Sequence, residues 1–222
     1  MGDGQLSLTE QLCGLYRGMQ GRMAPTDFDT LRQAEMQAVA AEADKALLQL
    51  GHHAPEFVLV DQNGASVRLV DHLAQGPVVL LFSRGGWCPF CTIWLRAWQD
   101  ALPRLHDAGG SLLAIFPQQI EACGRTAERD LLAYPVLSDC SGKVADSYGV
   151  IVDLPEDARP LFLRLGHDLP RINGSGTWRL PLPSTFVIAP DGCIAMAHAD
   201  LTLPHRLEPE AVIQAVRRLT GL

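Results

Sequence analysis

Apolar positions recur along this chain with two different periods, and the period changes at Gly51. Before Gly51 the spacing is helical. Ser7-Leu8-Thr9-Glu10 fits a capping box, in which serine and glutamate side chains each satisfy a backbone donor of the first turn. Leu8, Leu12, Leu15 and Met19 follow at helical intervals. Pro25 interrupts. A second helix is predicted from Asp27 to Leu50, with Phe28, Leu31, Ala38, Leu47 and Leu50 facing the core and Gly51 as its stop. Residues 1–50 are therefore expected to form a helical extension on a main domain of residues 51–222.

Beyond Gly51 the pattern is that of strands alternating with helices. Phe57–Val60 and Ser66–Leu69 flank Asp61-Gln62-Asn63-Gly64, and Asn-Gly between apolar runs predicts a hairpin. Val78–Phe82 is apolar throughout, as a strand buried on both faces must be. A helix is predicted over Thr92–His106, a second buried strand over Leu112–Phe116, and a polar helix over Gln118–Leu132. Pro135–Asp139 leads into a short helix over Lys143–Tyr148. Thr185–Ile188 and Cys193–Met196 flank a Pro190-Asp191-Gly192 turn, and Pro209 opens a last helix with Val212, Ile213, Val216 and Leu219 as its apolar stripe. This order predicts an α/β layer structure with a mixed central sheet flanked by helices.

Composition narrows the function. With 47% apolar and 19% charged residues among 222, the chain is not disordered. Its longest apolar run, Val78–Phe82, is far too short to span a bilayer. A net charge of −7 without a basic cluster disfavours a nucleic-acid partner. Met1–Leu6 lacks the basic start and apolar stretch of a signal peptide, and Leu6 stands where a myristoylation signal has Ser or Thr. A cytoplasmic location is expected. The six cysteines, at 13, 88, 91, 123, 140 and 193, then read as reduced thiols rather than structural bridges.

Only Cys88 and Cys91 lie close in sequence. They sit in Phe82–Cys91, at a strand-to-helix junction, where free backbone N–H groups favour a thiolate and so a nucleophile. Pro89 suits a first helical turn because its missing donor is not needed there. Cysteines three residues apart on a helix can reach one another, so one can attack and the other resolve. Arg84 adds a nearby cation. The competing readings are half of a zinc site and a pair of packing cysteines. No second Cys or His pair completes a zinc site. No metal and no cofactor is expected.

Trp87-Cys88-Pro89-Phe90-Cys91 resembles the thioredoxin/glutaredoxin active-site motif. The wider chain resembles the peroxiredoxin (AhpC/TSA) superfamily, in particular a branch with an Arg-Gly-Gly-Trp-Cys-Pro-x-Cys site. The matching pieces are Ala54–Phe57, Phe82–Trp98, Leu137–Asp139, Gly142–Ala145 with Tyr148–Val150, and Pro183–Ile188. The resemblance implies a thioredoxin fold. It also exposes departures. Peroxiredoxins carry Pro-x-x-x-Thr-x-x-Cys, and an ungapped overlay puts Arg84 on that proline, Cys88 on the threonine and Cys91 on the peroxidatic cysteine. Their active-site arginine falls on Pro183, where thioredoxins have a cis proline lying against the two cysteines. Arg84 or Arg206 could take the place of the absent cation.

The site expected from these residues has Cys88 and Cys91 as the reacting pair, supported by Arg84, Trp87, Pro89 and Pro183. The leading function is thiol–disulfide exchange, with Cys88 attacking and Cys91 resolving. The alternative is a thiol peroxidase working through a sulfenic acid, and a redox sensor without turnover is a third reading. The substrate is accordingly a disulfide or a hydroperoxide, and the reductant a thioredoxin-like protein or a small thiol; a homodimer is one assembly open to the chain. On the dithiol reading Cys88 is the more exposed and more acidic thiol, Leu182–Pro183 is cis, and peroxide turnover is slow. Cys123 is a secondary candidate for resolving, and Trp178 either lines the site or anchors a loop. Cys140, Cys193 and His198 read as ordinary structural residues.

Overall fold

The computed structural model describes residues 6–42, 48–199 and 202–222. Helix α1 (Leu8–Arg22) begins at the expected capping box, with Ser7 Oγ accepting from Glu10 N–H and the Glu10 carboxylate accepting from Ser7 N–H. Helix α2 (Pro25–Glu42) starts earlier than the pattern suggests, because Pro25 occupies its first turn instead of interrupting it. The expected run to Leu50 is corrected at its end, where Leu50 is 71% exposed in the turn before Gly51. Phe28 is buried as expected, whereas Leu47 and the side chain of Ala38 lie outside the described residues.

Strands β1 (Val58–Asp61) and β2 (Ser66–Arg68) form the Asn-Gly hairpin, and a short α3 (Leu69–Leu73) follows. Then come β3 (Val78–Phe82), α4 (Pro89–Asp107), β4 (Ser111–Phe116), α5 (Ile120–Asp130), β5 (Val136–Ser138) and α6 (Lys143–Ser147). The stretch for which the sequence predicts no element holds β6 (Ile151–Asp153), α7 (Arg159–Arg164), α8 (Leu169–Asn173) and β7 (Arg179–Pro181). Segments this short show no measurable period, so only tertiary contacts define them. Strands β8 (Ser184–Ile188) and β9 (Ile194–Ala199) make the second hairpin, and α9 (Pro209–Thr220) closes the chain.

Among the described residues, seven strands form one mixed sheet in the order β2-β1-β5-β4-β3-β8-β9, with β3, β4 and β5 parallel; β6 and β7 pair separately. Strand β3 is buried at every residue and feeds both faces. Val79 and Leu81 point into the cluster made with α1, α4 and α9, while Val78, Leu80 and Phe82 join Leu73, Tyr148 and Phe186 on the other side. In α9, Val212, Ile213 and Val216 are buried as expected, but Leu219 is half-exposed. Thr220, four residues after Val216, takes the inward position and donates to the Ala108 carbonyl at 3.1 Å.

The N-terminal helices are tied to this body. Leu8 and Leu12 are buried in the cluster that contains both active-site cysteine candidates, and Tyr16 meets Phe28 and Phe90 edge to face. The Glu208 carboxylate, just ahead of α9, accepts from the backbone N–H and hydroxyl of Thr9, each at 2.9 Å.

Candidate active site

Strand β3 ends at Phe82, and Ser83 N–H continues the ladder by donating to the Ile115 carbonyl at 3.0 Å. The loop Ser83–Trp87 then turns the chain into α4, for which Cys88 is the N-cap and Pro89 the first residue. Helix α4 buries Cys91, Trp94, Leu95, Trp98, Leu102 and Leu105 along one face, which aims Cys91 inward. The expected start at Thr92 is thus three residues late, since Pro89 needs no N–H partner there.

The two loop glycines permit close approach. Gly85 has φ +103°, and a Cβ there would lie 2.1 Å from Gln118 Oε1. The same oxygen accepts from Gly86 N–H at 2.9 Å, and Arg129 Nη1 donates to the Gly86 carbonyl at 3.0 Å. A Cβ on Gly86 would lie 2.0 Å from Thr126 Oγ1. Gly86→Ala is therefore expected to lower stability by roughly 1–3 kcal/mol in urea unfolding. Thr126→Gly in the same chain should recover part of that loss, because the clash is with a side chain; no recovery would place the strain elsewhere.

The two sulfurs are unequal. Cys91 is fully buried, yet its thiol is pulled well below the usual value. The Cys88 thiol donating to its sulfur is the largest cause; Arg206, the Ser83 hydroxyl and Arg84 add to it against the opposing effect of burial. Cys88 moves the other way, because its proton is engaged by Cys91, it is buried, and it lies beside the Cys91 charge. This corrects the expectation that Cys88 is the more acidic thiol. Cys88 is the more exposed of the two, as expected, at 3% against 0%, but the cations and donors gather around Cys91. The helix N-terminus favours a thiolate at either position, so the neighbours decide between them.

Arg206 comes from the segment before α9. It is buried, lies 5.5 Å from the Trp94 ring centroid, and donates through Nη1 to the carbonyls of Thr202, Leu203 and His205. Arg84 is half-buried beside the pair. Trp87 is half-buried against Phe162 and His167, with ring centroids 6.2 and 4.8 Å away, and Pro89 is exposed. Pro183 is buried and precedes Ser184, which pairs with Phe82 at the site end of β3. The peptide bonds among the described residues are all trans, which corrects the expected cis Leu182–Pro183. The chain runs extended from β7 into β8 there, with Leu182 N–H donating to the Val150 carbonyl at 2.6 Å.

The remaining candidates separate from the pair. Cys123 is buried on α5 with its sulfur 3.7 Å from the Gln118 carbonyl, and burial, then Cys140, pushes its thiol up to about 12. Cys140 lies 3.3 Å from Ser138 Oγ, and Cys193 lies 4.0 Å from His53 Nε2. Trp178 is a loop anchor: it packs on the cluster around Phe162, its carbonyl accepts from Leu154 N–H at 2.8 Å, and Arg159 stacks on its ring. His198 is half-buried on β9 opposite Thr185. Among the described residues, no group of three or more His, Cys, Asp or Glu is placed to hold a metal ion. Sequence reasoning missed Ser83, although its place directly after the buried strand was a usable signal. It also missed Gln118 and Glu35, which nothing in their local sequence marks.

A model of the AhpC/TSA family matches residues 50–197. Peroxiredoxin Bcp of Escherichia coli is 34% identical over 103 residues, which cover 46% of this chain and 65% of that protein. Thiol-disulfide oxidoreductase ResA of Bacillus anthracis is 28% identical over 109 residues, covering 49% of this chain and 62% of that protein. The chain thus spans somewhat less than two thirds of the length of these curated relatives. Among solved structures, peroxidoxin BcpB from Mycobacterium tuberculosis superposes with a TM-score of 0.63 over 77% of this chain and 97% of that one, at 24% identity. Xanthomonas campestris peroxiredoxin Q gives 0.60 over 79% and 98%, at 20% identity. The fold is the thioredoxin fold of these neighbours. Helices α1 and α2 precede the residues that the family model matches.

Proposed function

The chain belongs to the AhpC/TSA family of oxidoreductases, and from that premise we propose that it is a thiol peroxidase in which Cys91 attacks a hydroperoxide and Cys88 resolves the product. The observation that carries this reading is the burial of both cysteines, at 3% and 0% exposure, with the cations and donors gathered on Cys91. Burial of that degree suits a small substrate such as a hydroperoxide better than a disulfide on a protein surface, which cannot reach either thiol without the site opening. The overlay that puts Cys91 on the peroxidatic position agrees with it.

The chemistry balances with groups of the chain. The Cys91 thiolate attacks the terminal peroxide oxygen, an S–O bond forms as the O–O bond breaks, and the alkoxide leaves. The Cys88 thiol, already donating to Cys91, supplies the proton that makes this an alcohol and becomes a thiolate. Cys88 then attacks the Cys91 sulfenic acid, and hydroxide leaves as the disulfide forms. Two equivalents of a small thiol, or a thioredoxin-like dithiol, return the pair to its reduced form in the cytoplasm. Ser83, Arg84 and Arg206 face the charge that develops, where the family's threonine and arginine are absent. Slow peroxide turnover is accordingly not expected on this reading.

Dithiol–disulfide exchange is the second reading. The hydrogen bond between the two sulfurs across one helical turn favours it, as does the likeness to ResA. Stopped-flow oxidation of the reduced protein by hydrogen peroxide and by an organic hydroperoxide, set beside reduction of a model disulfide by the same sample, separates the two. Fast peroxide oxidation with sluggish disulfide reduction is expected. The opposite ranking would move the protein to the second reading.

A further inference from the structure

We propose that Glu35, on helix α2, is a positioning residue for this reaction, holding Arg206 and Arg84 against the Cys91 sulfur. The inference rests on the assignment of Cys91 as the attacking thiolate. Glu35 Oε1 accepts the backbone N–H of Leu203 at 3.0 Å. Leu203 is buried in the same cluster as both cysteines, and its carbonyl in turn accepts from Arg206 Nη1 at 3.4 Å. One carboxylate on the N-terminal arm therefore fixes the backbone from which Arg206 reaches the site.

The second link, to Arg84, is electrostatic and runs through a cavity. Glu35 and Arg84 line one cavity of about 30 Å³, walled by Leu31, Val152, Phe162 and Leu180. That is room for a water or two between the charges. Arg84 Nε is buried there, and nothing among the described residues accepts from it. Burial raises the Glu35 carboxyl; Arg84, the Leu203 N–H, Arg206 and Arg32 oppose that rise, in that order. The charged and titratable groups around it come from each neighbouring element: Arg84 after β3, Arg206 before α9, Arg32 on α2 itself, Tyr16 on α1 and Asp153 on β6. Glu35 lies outside the residues matched to the family, so the family pattern does not account for it.

Removing a neighbouring negative charge would by itself lower a thiol pKa, whereas loosening the arginines would raise it. The two roles thus predict opposite signs. In Glu35→Ala the midpoint of the ultraviolet thiolate titration is expected to rise by about one unit, with alkylation of Cys91 slowed about tenfold at pH values below the parent midpoint, where the rate follows the thiolate fraction. Glu35→Gln, whose amide oxygen still accepts the Leu203 N–H, should return most of the parent behaviour. An equal rise in both variants would instead assign the effect to the charge on Arg84 and Arg206, which also supports positioning. A parent-like or lowered midpoint in Glu35→Ala, with the parent's circular dichroism, would overturn the inference. Should that variant not fold, Glu35→Asp keeps the charge but falls short of Leu203, and the same rise is expected of it. Cys91→Ser keeps the two assignments apart. A titration step that persists there overturns the site and this inference with it; a step lost there but indifferent to Glu35 overturns only the inference.

Discussion

Cys91→Ser is expected to abolish hydroperoxide consumption, a loss on the order of a thousandfold or more, because the sulfur that bonds to oxygen is gone. Cys88→Ser should behave differently. It keeps a hydroxyl that can still donate toward Cys91, so one turnover of peroxide remains and a sulfenic acid accumulates on Cys91. Trapping that acid with a dimedone-type reagent, followed by peptide mass spectrometry, reads the difference directly. The asymmetry follows from the neighbours of each thiol: the Cys88 proton, Arg206, Ser83 and Arg84 favour a thiolate on Cys91, while the hydrogen bond to Cys91, burial and the Cys91 charge disfavour one on Cys88. A Cys88→Ser protein that lost all reaction with peroxide, alongside an active Cys91→Ser protein, would reverse the roles of the two cysteines.

Arg206→Met is expected to lower the rate of peroxide oxidation by about a hundredfold at neutral pH. Two effects add. Arg206 is a cation that pulls the Cys91 thiol down, so its loss raises that thiol toward its ordinary value and shrinks the thiolate fraction at neutral pH. The rising limb of the pH–rate profile should therefore move to higher pH. Above the new midpoint the thiolate fraction is restored, and whatever deficit remains there measures the lost stabilisation of the departing oxygen. Methionine keeps an unbranched stem of similar length while removing the guanidinium that lies over Trp94 and donates to the Thr202, Leu203 and His205 carbonyls, so circular dichroism of the variant should accompany the rates. Arg84→Ala should act in the same direction and more weakly, since Arg84 is half-buried and contributes less to Cys91. A profile unchanged by Arg206→Met would leave the thiolate to the Cys88 thiol, Ser83 and Arg84.

Much of this protein is set by local pattern. The capping box of α1, the Asn-Gly hairpin, the all-apolar β3 and the proline-led α9 are written in contiguous residues, because caps, turns and periods are local physics. The Cys-x-x-Cys at a strand-to-helix junction was equally legible, and so was the family. What sequence could not rank was the two cysteines. Both sit at one helix N-terminus, and the field of that terminus does not tell them apart. The difference comes from Arg206, far along the chain, and from the inward turn of Cys91 on α4. Pro183 shows the same limit: its neighbours in sequence suggested a cis bond, but the pairing of Ser184 with Phe82 and the bond from Leu182 to Val150 hold that stretch extended. The elements between Ile151 and Pro181 depend on contacts with α2, with one another, with Trp87 and with the main core through Ile151. Glu35 carries no local mark at all. Its place beside Leu203 and Arg84 arises because α2 packs over the junction, and a hydrogen bond across 168 residues leaves no trace in a period or a motif. Sequence determined which residues could do chemistry here; the packing of distant charges around one buried sulfur is what sets the two cysteines apart.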